Sequence, residues 1–139
     1  MTSRLVQDSS ENLILTLFAL IVFYWLSYLF IASSLIRVNY RKSEQGIDIL
    51  IDNAQKHLTY INNKKVEKDV ITNESVKAIE LYYSWNTHPF TSDLGYSKII
   101  LKDDTNIFIT QDKLSQYEIK SIFKNKVTKE KTQFMNRLK

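Results

Sequence analysis

Hydrophobic positions fall into two regimes along this chain. From Leu13 to Ile36 they run nearly unbroken, LILTLFALIVFYWLSYLFIASSLI, a stretch of 24 residues without a charge, a Gly or a Pro. A helix of that length reaches ~36 Å, against a hydrocarbon core of ~30 Å, so the run predicts one membrane span. It exceeds the ~7–15 apolar residues of a cleavable signal core. Its positive flank also lies behind it, at Arg37, Arg41 and Lys42, whereas Arg4 in front is opposed by Asp8 and Glu11. The segment therefore reads as a retained anchor. A core helix of a soluble protein is the weaker reading, because the remaining ~100 residues could hardly wrap a helix that is apolar on every side.

Beyond Gly46 the apolar positions alternate with polar ones. Gly46–Asp52 places Ile47, Ile49 and Ile51 on one face of a strand, and His57–Ile61 places Leu58 and Tyr60 likewise. Asn53–Lys56 turns the chain between them, and Asn62–Lys64 makes the next turn. Lys65–Ile71, with Val66 and Val70 as inward candidates, predicts a third strand. Ser75–Trp85 predicts a fourth, Gly95–Lys102 a fifth and Asn106–Thr110 a sixth, with Asp103-Asp104-Thr105 as a tight hairpin turn. The period then changes. Ser115 and Glu118 form a capping box, and Leu114, Ile119, Ile122 and Phe123 recur at helical spacing. After Val127 the chain is basic and polar, and the expectation is a prolonged helix or a tail lying on the membrane surface. The pattern thus divides the chain into an N-terminal segment (1–12), a transmembrane helix (13–36), a basic juxtamembrane linker (37–45), a β domain with a C-terminal helix (46–126) and a basic tail (127–139). The expected fold class is one N-terminal transmembrane α-helix plus a small α+β domain, an antiparallel barrel or roll capped by a helix.

Charge adds an orientation. The chain carries a net charge of +4, distributed unevenly. Residues 44–112 hold seven Lys against eleven Asp or Glu, and from Lys113 onward eight Lys or Arg face only Glu118 and Glu130. Positive residues flanking a span stay cytoplasmic, which places the N-terminus outside and the domain inside the inner (cytoplasmic) membrane. There is no Cys, which removes disulfides, thiolate nucleophiles and thiolate metal ligands. Two Gly and one Pro argue against flexible linkers and phosphate-cradling loops.

The passage GIDILIDNAQKHLTY (46–60), the Ile79-Glu80-Leu81 strand and the hairpin Ile99–Thr110 with its following helix together resemble bacterial pleckstrin-homology-like (PH-like) domains that sit behind membrane spans. The resemblance covers about Glu44 to Lys126. It implies a split barrel closed by a helix and, by the family's habit, recognition of phosphorylated lipid headgroups at the first hairpin. That hairpin here offers only Lys56, among Asp48, Asp52, Asn53 and Gln55. Such proteins often carry a two-helix membrane hairpin, whereas this chain has one span.

Little in the sequence points to catalysis. His57 stands at a strand start, His88 precedes Pro89 in a loop, and Asp103 and Asp104 read as solvated turn formers. No metal-ligand spacing occurs, so the expectation is a non-enzyme without metal, cofactor, small-molecule substrate or nucleic-acid partner. Binding is the better class. Arg37, Arg41, Lys42, Lys120, Lys124, Lys126, Lys129 and Lys131, with Arg137 and Lys139, suit an anionic lipid surface, and equally suit a solvated helix face and tail. Tyr24, Trp25 and Tyr28 stand mid-span, although aromatics favour membrane interfaces. Their polar groups either snorkel or bond a backbone carbonyl one turn away, or belong to a polar face packed on another helix; Tyr24, Ser27, Tyr28 and Ile31 share such a face by helical spacing. The functional expectation is a scaffold or accessory subunit of a membrane protein complex; the alternative is an autonomous anionic-lipid sensor or adaptor.

Overall fold

The computed structural model describes residues 2–52, 54–63, 67–85 and 91–138, with side chains of the first helix from Asn12 onward. Asn53, the Lys64–Val66 stretch, the loop carrying His88 and Pro89, and Lys139 lie outside the described residues. One helix, α1 (Thr2–Glu44), is followed by β1 (Ile47–Asp52), β2 (His57–Asn62), β3 (Glu67–Ile71), β4 (Val76–Ser84), β5 (Tyr96–Leu101), β6 (Asn106–Thr110), α2 (Gln116–Ile122), a 3-10 turn (Lys124–Lys126) and β7 (Val127–Gln133). The class is a long apolar N-terminal helix joined to a small α+β domain.

Helix α1 continues through residues 37–44, the segment expected as a linker. Arg41 and Lys42 lie in its last turn, where cations complement the partial negative charge of the helix end. It stops at Gly46, whose φ of 82° is the left-handed conformation that ends helices. The next turns use side-chain acceptors in place of glycine. Asp52 Oδ1 accepts from the Ala54 and Gln55 amides at 2.9 and 3.0 Å, and Lys56 takes φ 52°. In the β5–β6 hairpin Asp103 Oδ1 accepts from the Thr105 amide at 3.0 Å, and Asp104 takes φ 64°. Those aspartates are turn formers, as their spacing predicted.

The strands form two sheets, β1-β2-β3 and β6-β5-β4-β7. The expected barrel is not closed, because no strand ladder joins the two sheets among the described residues. They share one core instead. Leu58 and Ile71 from the first sheet meet Ile79, Leu81, Ile99 and Ile109 from the second, and Leu114, Ile119, Ile122 and Phe123 close the end. The α2 capping box forms as predicted: Ser115 Oγ accepts from the Glu118 amide at 3.3 Å, and the Glu118 carboxylate accepts from the Ser115 amide at 3.0 Å. These hydrogen bonds hold the Glu118 carboxyl below its ordinary pKa.

The tail departs from expectation. After the 3-10 turn the chain doubles back as β7, parallel to β4, pairing Glu80 with Lys129 and Tyr82 with Lys131. The sequence VTKEKTQ carries a single large apolar residue, so neither period marks it as a strand. It is an edge strand, and edges tolerate and use charge. Helix α2 ends at Ile122 rather than continuing, and Lys129 and Lys131 belong to the sheet.

Candidate functional site

The four-stranded sheet has two faces with different duties. One covers the core; the other carries Tyr82, Tyr96 and Phe108, stacked as Tyr82–Tyr96 with ring centroids 4.5 Å apart and Tyr96–Phe108 at 6.1 Å. Helix α1 lies on this aromatic face. Leu29, Ala32, Ser33, Ile36, Tyr40 and Glu44 are buried there, and their spacing of three and four places them on one side of the helix. Ile36 and Tyr40 join Leu94 and Tyr96 in a second cluster, with Met135 and Leu138 packed against it.

Three polar contacts lock the arrangement. The Tyr40 hydroxyl lies 2.8 Å from the Asn136 carbonyl and 3.2 Å from that of Leu94, while Asn136 Nδ2 donates to the Leu94 and Tyr83 carbonyls at 3.0 Å each. Desolvation keeps the Tyr40 phenol protonated far above its ordinary range. The Glu44 carboxylate accepts from the Thr110 amide at 3.0 Å and from the Thr110 hydroxyl. Arg37 grips Asp93 with two bonds, Nε to Oδ2 at 2.6 Å and Nη2 to Oδ1 at 2.7 Å. That fork lowers the Asp93 pKa and raises that of Arg37, hydrogen bonding being the larger cause in each. The end of α1 is thereby part of the domain.

Between α1 and β7 the docked elements leave an open cleft of about 650 Å³. Trp25, Tyr28 and Leu29 wall it on the helix side. Tyr82 and Tyr96 form its floor, and Lys129, Lys131 and Gln133 of β7 line its other side with Phe134, Met135 and Arg137. Lys129 Nζ donates to the Tyr82 hydroxyl at 3.0 Å and lies 3.4 Å from Glu80, and Tyr82 donates to Glu80 at 2.6 Å. The Tyr82 hydroxyl, and then Lys129, hold Glu80 below the usual carboxylate range.

The structure separates the basic residues that the sequence grouped. Arg37 is committed to Asp93, and Lys120 to Glu130 at 2.8 and 2.9 Å. Lys129 is tied to Glu80 and Tyr82. Arg41, Lys42, Lys124 and Lys131 are exposed and Lys126 is half-buried. Lys129 and Lys131 share the β7 face that looks into the cleft, whereas Glu130 between them turns away to Lys120. Trp25, Tyr82, Tyr96, Phe134 and Met135 were not anticipated there, and no local signal marks them, because the cleft is assembled from segments far apart in the chain.

The side of α1 away from the sheet stays bare. Ile21, Tyr24, Tyr28, Ile31, Leu35 and Val38 recur at alternating spacings of three and four and are each 47–71% exposed, Tyr28 standing where this stripe meets the cleft. Ser27, the other member of the expected partner face, is half-buried on the same flank. Among the described residues no three His, Asp or Glu side chains gather where they would hold a metal ion.

No family model, curated protein or solved structure matches this chain significantly. Its class is defined by the architecture alone: one helix long and apolar enough to cross a membrane, continued without interruption into a small α+β domain.

Proposed function

We propose that this chain is a single-pass membrane protein whose domain, of PH-like pattern, is a non-catalytic scaffold or accessory subunit of a larger membrane complex. In this reading the span crosses the inner membrane with its N-terminus outside and the domain on the cytoplasmic side. The observation that carries it is the two-sided use of α1 below Tyr28. One side is bolted to the sheet through Tyr40, Glu44 and Arg37, and the other presents Ile31, Leu35 and Val38 to nothing. Leu35 and Val38 lie beyond the level at which lipid alone would call for apolar residues. A stripe at three-and-four spacing that continues past the span is the pattern of a helix that pairs with another helix.

The bilayer placement supports the same reading. Since the domain begins to cover α1 at Leu29, the hydrocarbon surrounds the helix above that point. On the uncovered side apolar residues continue through Ile31, so Leu13–Ile31 gives an apolar length of ~28 Å, near the ~30 Å core. Trp25 and Tyr28 then stand at the membrane boundary, where aromatics are favoured, and the oddity of mid-span aromatics disappears.

The chain has no cysteine, so single cysteines at Ile31, Leu35 or Val38 report contacts cleanly. Cross-linking in native membranes, followed by mild solubilisation and native mass spectrometry, should yield one defined larger species from these positions and none from Phe30, which is exposed on another side of the helix. Migration as an isolated monomer, with no adduct at any seam position, would overturn the accessory-subunit reading.

A further inference from the structure

We propose that the cleft between α1 and β7 binds a single anionic phospholipid of the cytoplasmic leaflet, headgroup first. The inference rests on the reading of α1 as a membrane span, and goes beyond it by naming a ligand and the residues that hold it. Three features converge.

The first is charge. Lys129, Lys131 and Arg137 line the cleft and no carboxylate does. Glu80 takes up part of the Lys129 charge, but among the described residues neither Lys131 nor Arg137 belongs to an ion pair. A phosphodiester is the anion that Arg holds with two parallel bonds and Lys as a point charge.

The second is the graded polarity of the walls. The basic groups stand on β7 and the segment after it, while Trp25, Tyr28 and Leu29 provide apolar surface on the α1 side, continuous with the apolar run of that helix. A free phosphate or sugar phosphate has no use for that apolar side. A glycerophospholipid does, since its headgroup meets the cations and the first carbons of its acyl chains meet the aromatics. The volume, about 650 Å³, lies within the ~300–1,000 Å³ of small-molecule sites.

The third is position. Trp25 and Tyr28, the residues that the span reading puts at the bilayer boundary, line the cleft. A lipid would therefore enter laterally without leaving the leaflet. The occupant is distinct from a ligand of the β1–β2 hairpin, which lies in the other sheet and carries Asp48 and Asp52.

The test uses the full chain in mild detergent, offered equimolar phosphatidylglycerol and phosphatidylcholine and analysed by native mass spectrometry. One retained phosphatidylglycerol per chain is expected, favoured about tenfold or more over phosphatidylcholine. Lys131→Gln with Arg137→Gln should bring the preference to near unity, and Lys131→Arg should keep it. Lys42→Gln with Lys124→Gln removes the same charge outside the cleft and should leave the preference intact. Millimolar glycerol 3-phosphate should not displace the lipid. In a Trp85→Phe background, phosphatidylglycerol brominated near the top of its acyl chains should quench Trp25. Equal retention of both lipids, equal loss from the two double variants, full displacement by glycerol 3-phosphate, or absence of quenching would each overturn the proposal. A flotation assay with liposomes separates the two levels. A chain that floats but shows no preference refutes the cleft alone, and a chain that does not float refutes the span and the cleft with it.

Discussion

The two halves of α1 are one continuous helix with two different surroundings in the folded chain. From Leu13 to Tyr28 nearly every side chain is exposed, Phe23 at 65% and Tyr24 at 71%. From Leu29 to Glu44 one side vanishes into the domain, with Leu29 at 2% and Tyr40 at 3%. The upper half is apolar all round and packs no side on the domain; the lower half is amphipathic in the sense that matters for folding, since its buried stripe includes a tyrosine, a serine and a glutamate that each find a partner. Hydrophobicity alone therefore marks the candidate membrane segment, and satisfied polar groups mark where the helix joins the domain. The last turns of the 24-residue apolar run pack on the domain.

That contrast can be broken most forcefully at Tyr40. Tyr40→Ala removes a buried ring and its hydrogen bonds and should destabilise the docked domain by about 3–5 kcal/mol in chemical denaturation, whereas Phe23→Ala should change it by less than ~0.5 kcal/mol. Glu44→Ala comes next. It strands the buried Thr110 amide and hydroxyl, and a loss of about 1–3 kcal/mol in the same measurement is expected.

Acid gives a smaller and more diagnostic effect. Asp93 and Glu80 both titrate below their ordinary values in the folded chain, so the unfolded chain binds more protons there. Their stabilisation is complete above the ordinary carboxylate range and is lost as the pH falls through the depressed values, below about pH 4. Both partners of the Arg37–Asp93 pair are about a third exposed, which limits its share to ~1 kcal/mol or less. Asp93→Asn should flatten the acid limb of a stability–pH curve without moving its neutral plateau by more than that amount. On the alkaline side the sign reverses. Burial pushes Tyr83 up to about 12 and Tyr40 and Tyr96 further, so their contribution is present below the ordinary phenol value and fades as the pH rises past it. Tyr40→Phe should flatten the alkaline limb and lower the neutral plateau by about 0.5–1.5 kcal/mol through its lost hydrogen bonds.

Much of the fold was legible in the sequence because its signals are local. β6 spans Asn106–Thr110 as the alternation predicts, β1 and β2 agree within a residue, and Ser115 and Glu118 place the start of α2. The misses share a different cause. Residues 37–44 look like a charged linker until Tyr40 and Glu44 are seen to meet Asn136 and Thr110, far along the chain. β7 has no apolar alternation to announce it, since one neighbour of an edge strand is water. The cleft was hidden for the same reason: Trp25 and Arg137 meet only through the docking of α1 on the sheet.

The most direct test of the central claim is a cysteine-accessibility profile along α1, from residue 13 to residue 44, in liposomes reconstituted with the isolated chain. The cysteine-free background permits one probe per variant, read with a membrane-impermeant maleimide. Protection should be uniform from 13 to about 28, and should then oscillate with helical period, protected at 29, 36 and 40 and reactive at 35, 38 and 39. Helical oscillation, or full reactivity, across 13–28 would contradict a helix that passes from lipid into its own domain.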